Sequence, residues 1–106
     1  MAKSDRLNRF DSGTVTGTGA AINLVLGFKP KYVKLFNTTT AAQVEWMDGM
    51  AQAAGIKTVT AGTQTYITSG GVSDYNSTQF GRGITIGADA ALNVNTNPII
   101  WMAMGE

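Results

Sequence analysis

The side chains of this chain able to hold or move a proton are few and of limited kind. Seven aspartates and glutamates, eight lysines and arginines and three tyrosines are present, with no histidine and no cysteine. Imidazole titrates nearest neutrality and is the commonest metal ligand, while the thiolate is the strongest ordinary nucleophile and the usual ligand of zinc and iron–sulfur sites. Without them, carboxylate pairs are the main route left to acid and base chemistry. Glu45 and Asp48 form the close pair in a defined element, but a spacing of three on a strand sends them to opposite faces. A long-range pair such as Glu45 with Asp89 has the residue types of a glycosidase, whose two carboxyls sit about 5–9 Å apart across a sugar. Solvated surface charge accounts for the same residues without any reaction.

Two further segments invite a chemical reading. Gly81-Arg82-Gly83-Ile84-Thr85-Ile86-Gly87 superficially matches a phosphate-cradling loop, yet such a loop needs its glycines between a strand and a helix N-terminus, and here they flank a strand. Turn and bulge roles fit better. Asp89, Asn93 and Asn95 offer hard oxygens, but their spacing matches no calcium loop, and a polar hairpin loop explains them. No catalytic, cofactor-binding or metal-binding residue is assigned, and the chain is read as a non-enzyme without a cofactor.

Composition points to a protein that works by shape. The chain has 106 residues, 43% hydrophobic but only 14% charged, with a formal net charge of +1. That length fits one domain. Low charge leaves a neutral surface of Thr, Ser, Asn, Gln, Gly and Ala, which suits packing against other surfaces. The scattered basic residues give no reason to expect a nucleic-acid partner. The N-terminus Met1-Ala2-Lys3-Ser4-Asp5-Arg6 is polar and no apolar run approaches the roughly 18 residues of a membrane span, so no membrane partner and a soluble, cytoplasmically made chain are expected.

The elements that would position these groups are strands. Ile22, Leu24, Leu26 and Phe28 alternate along one face, Val33 and Leu35 oppose Tyr32, Lys34 and Phe36, and Val44 aligns with Trp46. Residues 56–60 and 65–68 are short β-branched pieces, with Ser69-Gly70-Gly71 expected to break the second; residues 83–87 carry Ile84 and Ile86. Residues 13–19, with alternating Thr and Val, read as an edge strand. Ala41-Ala42 and residues 50–54 alone suggest helix and are too short to stand in water. The fold class expected is all-β, a single antiparallel β-sandwich of jelly-roll type over residues 13–106, with residues 1–12 as an extended N-terminal arm.

The last strand, 99–104, is apolar on both faces: Ile99, Trp101 and Ala103 on one, Ile100, Met102 and Met104 on the other. Such a strand is either central between two layers or turns half of itself to another subunit. Met102 and Met104 are the subunit-interface candidates. Leu7, Arg9 and Phe10 of the arm are the candidates for gripping a neighbour by adding a strand to an open edge. Trp46, Trp101, Phe28 and Tyr66 are expected in the core; Tyr32, Phe36, Tyr75 and Phe80 are less clearly inward. As an alternative, Tyr75 and Phe80 with Asn93 and Asn95 would form a glycan platform.

Residues 27–37, Gly-Phe-Lys-Pro-Lys-Tyr-Val-Lys-Leu-Phe-Asn, with Val44-Glu45-Trp46-Met47-Asp48-Gly49-Met50, resemble the small virion structural proteins of tailed bacteriophages. So do residues 81–89, Ala91-Leu92-Asn93-Val94 and the closing Ile99-Ile100-Trp101, so that the likeness covers about residues 20 to 104. The resemblance implies a β-sandwich unit of a phage particle, a capsid decoration protein or a piece of the tail, with no catalytic residue. The expectation that follows is a capsid decoration, or cement, protein located in the virion. It would form a homo-oligomer, a trimer by expectation, and stabilise the shell by bridging major capsid protein subunits. A tail fibre or baseplate module touching host glycan is the alternative.

Overall fold

The computed structural model describes residues 9–105, and Leu7 lies outside them. Eight strands follow one another: β1 (Arg9–Thr16), β2 (Ile22–Val25), β3 (Pro30–Asn37), β4 (Gln43–Met47), β5 (Ala54–Thr58), β6 (Gln64–Ser77), β7 (Gly81–Ile86) and β8 (Pro98–Gly105). Both prolines, Pro30 and Pro98, open a strand, where a missing N–H disturbs the ladder least. No helix occurs among the described residues, and so none is long and apolar enough to cross a membrane.

The strands form one antiparallel sheet in the order β1-β8-β3-β4-β5-β6-β7-β2. A flat sheet of this width would hold its two edges about 34 Å apart. Yet β1 and β2, the two edges, are joined by residues 17–21 alone, a link that reaches at most about 20 Å. The sheet therefore curls into a half-barrel and packs its concave face on itself. This replaces the sandwich: the core expected between two separate sheets lies inside a single curved one, because the short connection draws the edges together.

Alternation along the strands fills that concave face. Val33, Leu35, Val44, Val72, Ile84, Ile86, Ile99 and Ala103 are fully buried, joined by Trp46 and Phe28. Each large apolar side chain so placed contributes about 1.5–3 kcal/mol relative to exposure. Trp101 packs partly buried against the same cluster, and its ring lies over Gly13 on the neighbouring strand, where a Cβ would stand 3.1 Å from it. Residues 9–12 continue β1 without a break in register, so this part of the expected arm is sheet.

Two expectations change at the turns. The Ser69-Gly70-Gly71 break appears as an irregularity within one long strand: β6 pairs with β5 from Gln64 to Ile67 and again at Val72, where its pairing with β7 begins, and the register shifts between Ala54 and Gly55 of β5. Near the expected helical pieces, Ala41 (φ 61°) and Ala53 (φ 66°) adopt left-handed backbone, which stops a right-handed helix.

Residues 87–97 plug the half-barrel. Leu92 is fully buried in the core. Asp89 Oδ1 accepts from the N–H groups of Ala91 and Leu92 while its Oδ2 meets Lys57 Nζ at 3.0 Å. Asn37 Nδ2 donates to Leu92 O, and Thr40 Oγ1 donates to Ala91 O, both at 2.7 Å. Asn93 ties the link between the two edges to the end of β7: its Oδ1 accepts from Thr18 and Gly19 N–H, and its Nδ2 donates to Ala20 O and Gly87 O.

Candidate functional site

The convex face over β1, β8 and β3 carries the feature that a folded chain of this size does not need for its own core. Register sets its rows. Phe10, Met104, Tyr32 and Met47 stand side by side across β1, β8, β3 and β4; Ser12, Met102, Lys34 and Glu45 form the next row; Thr14, Ile100, Phe36 and Gln43 the third. Register partners share a face, and these are the partners of the residues whose neighbours in sequence fill the core.

Phe10 is 58% exposed and Ile100 47% exposed. Between them lies a groove of about 320 Å³ walled by Phe10, Phe36, Ile100 and Met102, with Ser12 and Lys34 at its polar margin and Trp101 contributing to the lining. Exposed large apolar groups grouped in this way differ from the single scattered ones that any protein surface carries. Methionine and aromatic side chains add to this, being adaptable and large in contact area.

The polar groups beside the groove hold one another. Tyr32 Oη donates to Glu45 Oε2 at 2.6 Å. That hydrogen bond, then burial, then the carboxylate charge push the Tyr32 phenol up to about 12. Lys31 Nζ meets Asp48 Oδ2 at 3.0 Å, and this contact keeps the Asp48 carboxyl below its ordinary range. At neutral pH the phenol is protonated and the neighbouring Asp48 is ionised, so neither exchanges a proton there.

The structure brings Phe10 and Met102 together in the groove and places Met104 between Phe10 and Tyr32. Arg9 opens β1 opposite Gly105, exposed but outside the groove lining. It separates the other candidates. Glu45 belongs to the convex face, whereas Asp89 sits in the plug on Lys57, whose register partner is the core residue Val44, so the glycosidase pair does not assemble. Among the described residues no cluster of metal-ligating side chains forms.

The glycan platform is corrected by burial and by topology. Asn93 is 2% exposed with both ends of its amide bonded inside the chain, so it has nothing to offer a sugar. Phe80, 61% exposed, lies in the turn between β6 and β7, and exposed Asn95 lies beyond the opposite end of β7. The half-buried Tyr75 stands on β6 opposite Gly83. Tyr66, expected in the core, is 53% exposed because its register partner is Ile56, which shares the convex row of Glu45.

Sequence reasoning did not single out Ser12 and Lys34 as groove residues. The available signal was parity: each sits two positions from an aromatic residue of the same strand, Phe10 for Ser12 and Phe36 or Tyr32 for Lys34. No family model, curated protein or solved structure matches this chain.

Proposed function

We propose that this chain is a docking protein of a phage particle, a capsid decoration or cement protein that associates with copies of itself and bridges major capsid protein subunits. The observation that supports this reading most is the apolar groove on the convex face, with Phe10 and Ile100 left about half exposed. A surface of this kind gains free energy when another surface removes it from water, at about 25 cal/mol per Å² of apolar area. The resemblance of residues 20 to 104 to small virion structural proteins supports the choice of a shell as partner, and the low charge of the chain fits a surface packed on it. Several linked copies at one position on a shell raise avidity through effective concentration, without any bond-making step.

Quantitative mass spectrometry of purified particles tests this directly. A decoration protein is present in many copies per shell, and shells lacking it open at lower temperature; Phe10→Ser and Ile100→Thr chains fail to restore the lost stability. A protein scarce in the particle, whose loss stops adsorption and leaves shell strength unchanged, would place the function in the tail and overturn the reading.

A further inference from the structure

We infer that the edge of β1 left unpaired among the described residues pairs, antiparallel and about a two-fold axis, with β1 of a second copy of this chain, joining two curled sheets into one. The inference deepens the docking reading above for the assembly that meets the shell, while the edge itself is argued from backbone geometry.

The direction of the backbone groups on β1 follows from its last contacts. Gly17 N–H donates to Asn97 O, toward the β8 side, and Pro98 O turns the other way to accept from Thr38 N–H on the β3 side. N–H and C=O groups of successive strand residues point alternately to the two sides. With the unbroken register from Arg9 to Thr16, the odd-numbered residues of β1 bond to β8, and Phe10, Ser12, Thr14 and Thr16 turn their N–H and C=O groups away from the sheet. Ser12 confirms the parity: its N–H is met by the adjacent Asp11 Oδ1 at 2.9 Å, an exposed contact possible because that N–H is outside the ladder.

An eight-residue edge with outward groups at every second position is a template for another strand. What fits it is set by its own pattern. A register centred on Gly13 places Phe10 against Thr16 of the second copy and Ser12 against Thr14, joining the outward groups of the described strand in a closed, self-complementary pair. A register centred on Asp11 would oppose two carboxylates.

The other edge does not offer the same opening. Strand β2 is four residues long and ends where Leu26 and Gly27 N–H both turn back to Arg82 O. A ring of three copies would need β1 to meet β2 of the next copy, and β2 matches only half of β1. Edge pairing of this kind therefore favours two copies over the trimer expected from the sequence. Because Phe10 and Ser12 also line the groove, pairing sets the grooves of two copies on either side of the new ladder and doubles the apolar face.

Proline separates this inference from the fold. Thr14→Pro removes an outward N–H and leaves the β1–β8 bonds intact, since Thr14 does not donate to β8. Sedimentation equilibrium of the full chain is expected to give a dimer mass for the natural sequence and at least about tenfold weaker association for Thr14→Pro. The circular dichroism of Thr14→Pro should be unchanged, and hydrogen exchange at Phe10, Ser12, Thr14 and Thr16 should slow with protein concentration in the natural chain only. Asp11→Ala frees the Ser12 N–H and is expected to tighten the pair.

A monomer or a trimer for the natural sequence overturns the inference, as does undiminished association of a folded Thr14→Pro chain. Phe10→Ser distinguishes it from the docking reading: that variant is expected to keep the dimer mass and lose binding to shells. Should Thr14→Pro be monomeric and still bind shells, docking stands by single copies; should dimers form and no shell bind, pairing stands alone.

Discussion

Tyr32 and Glu45 meet on the convex face at the boundary between the apolar groove and the polar strands, the phenol donating to the carboxylate at 2.6 Å across the β3–β4 pair. The hydrogen bond that the neutral phenol donates to Glu45, then burial, and last the repulsion between phenolate and carboxylate push its ionisation from 10.0 to about 12.

A folded pKa above the unfolded one means that the contact stabilises the chain in full below pH 10 and loses its effect as pH rises through about 12. Ultraviolet titration of the folded protein is expected to show one tyrosine ionising near that upper value. Tyr32→Phe removes this step and Glu45→Gln moves it down. A spectrum with no tyrosine ionising near 12 would refute the contact.

The two faces of β1, β8 and β3 predict unequal costs for similar changes. Leu35→Ala opens the core and is expected to lower stability by about 2–5 kcal/mol. Phe10→Ser and Ile100→Thr, on the convex side, should shift it by no more than about 1 kcal/mol while removing the docking surface. Denaturant unfolding of the three variants gives the comparison.

Asn93 holds the link between the two edge strands to the end of β7 through the Thr18, Gly19, Ala20 and Gly87 backbone. Asn93→Leu keeps the branching of the side chain and leaves these groups without a partner, at a cost of about 3 kcal/mol or more. Amide exchange in residues 17–21 should quicken at the same time. A variant as stable as the natural chain would show that the latch is dispensable.

Ala41 and Ala53 carry a Cβ at positive φ, where glycine fits without strain. Ala53→Gly is expected to raise the melting temperature, corresponding to about 1 kcal/mol, and Ala41→Gly likewise. Calorimetry decides it; a fall in melting temperature at both positions would contradict the backbone geometry.

Much of this was legible from single strands. The alternations Val33/Leu35, Val44/Trp46 and Ile84/Ile86 identified core faces correctly, because a period of two fixes which neighbours share a side of the sheet. Parity also put Ile100, Met102 and Met104 on one face of the last strand. What failed was local inference about residues whose environment comes from elsewhere: Tyr66 looks like core until Ile56 sets its register, and Asn93 looks like a loop residue until the distant Thr18, Gly19 and Ala20 backbone surrounds it.

The sequence by itself determined an all-β chain without imidazole or thiol and a closing strand apolar on both sides, since side-chain chemistry and strand period need no partner to be read. Tertiary structure alone decided that the strands make one curled sheet, that Leu92 and Asn93 plug and latch it, and that Phe10, Ile100 and Met102 converge. Those outcomes depend on the order in which strands pair, and that order is fixed by contacts between residues far apart in the chain, such as Phe10 with Met104, for which the local pattern carries no address.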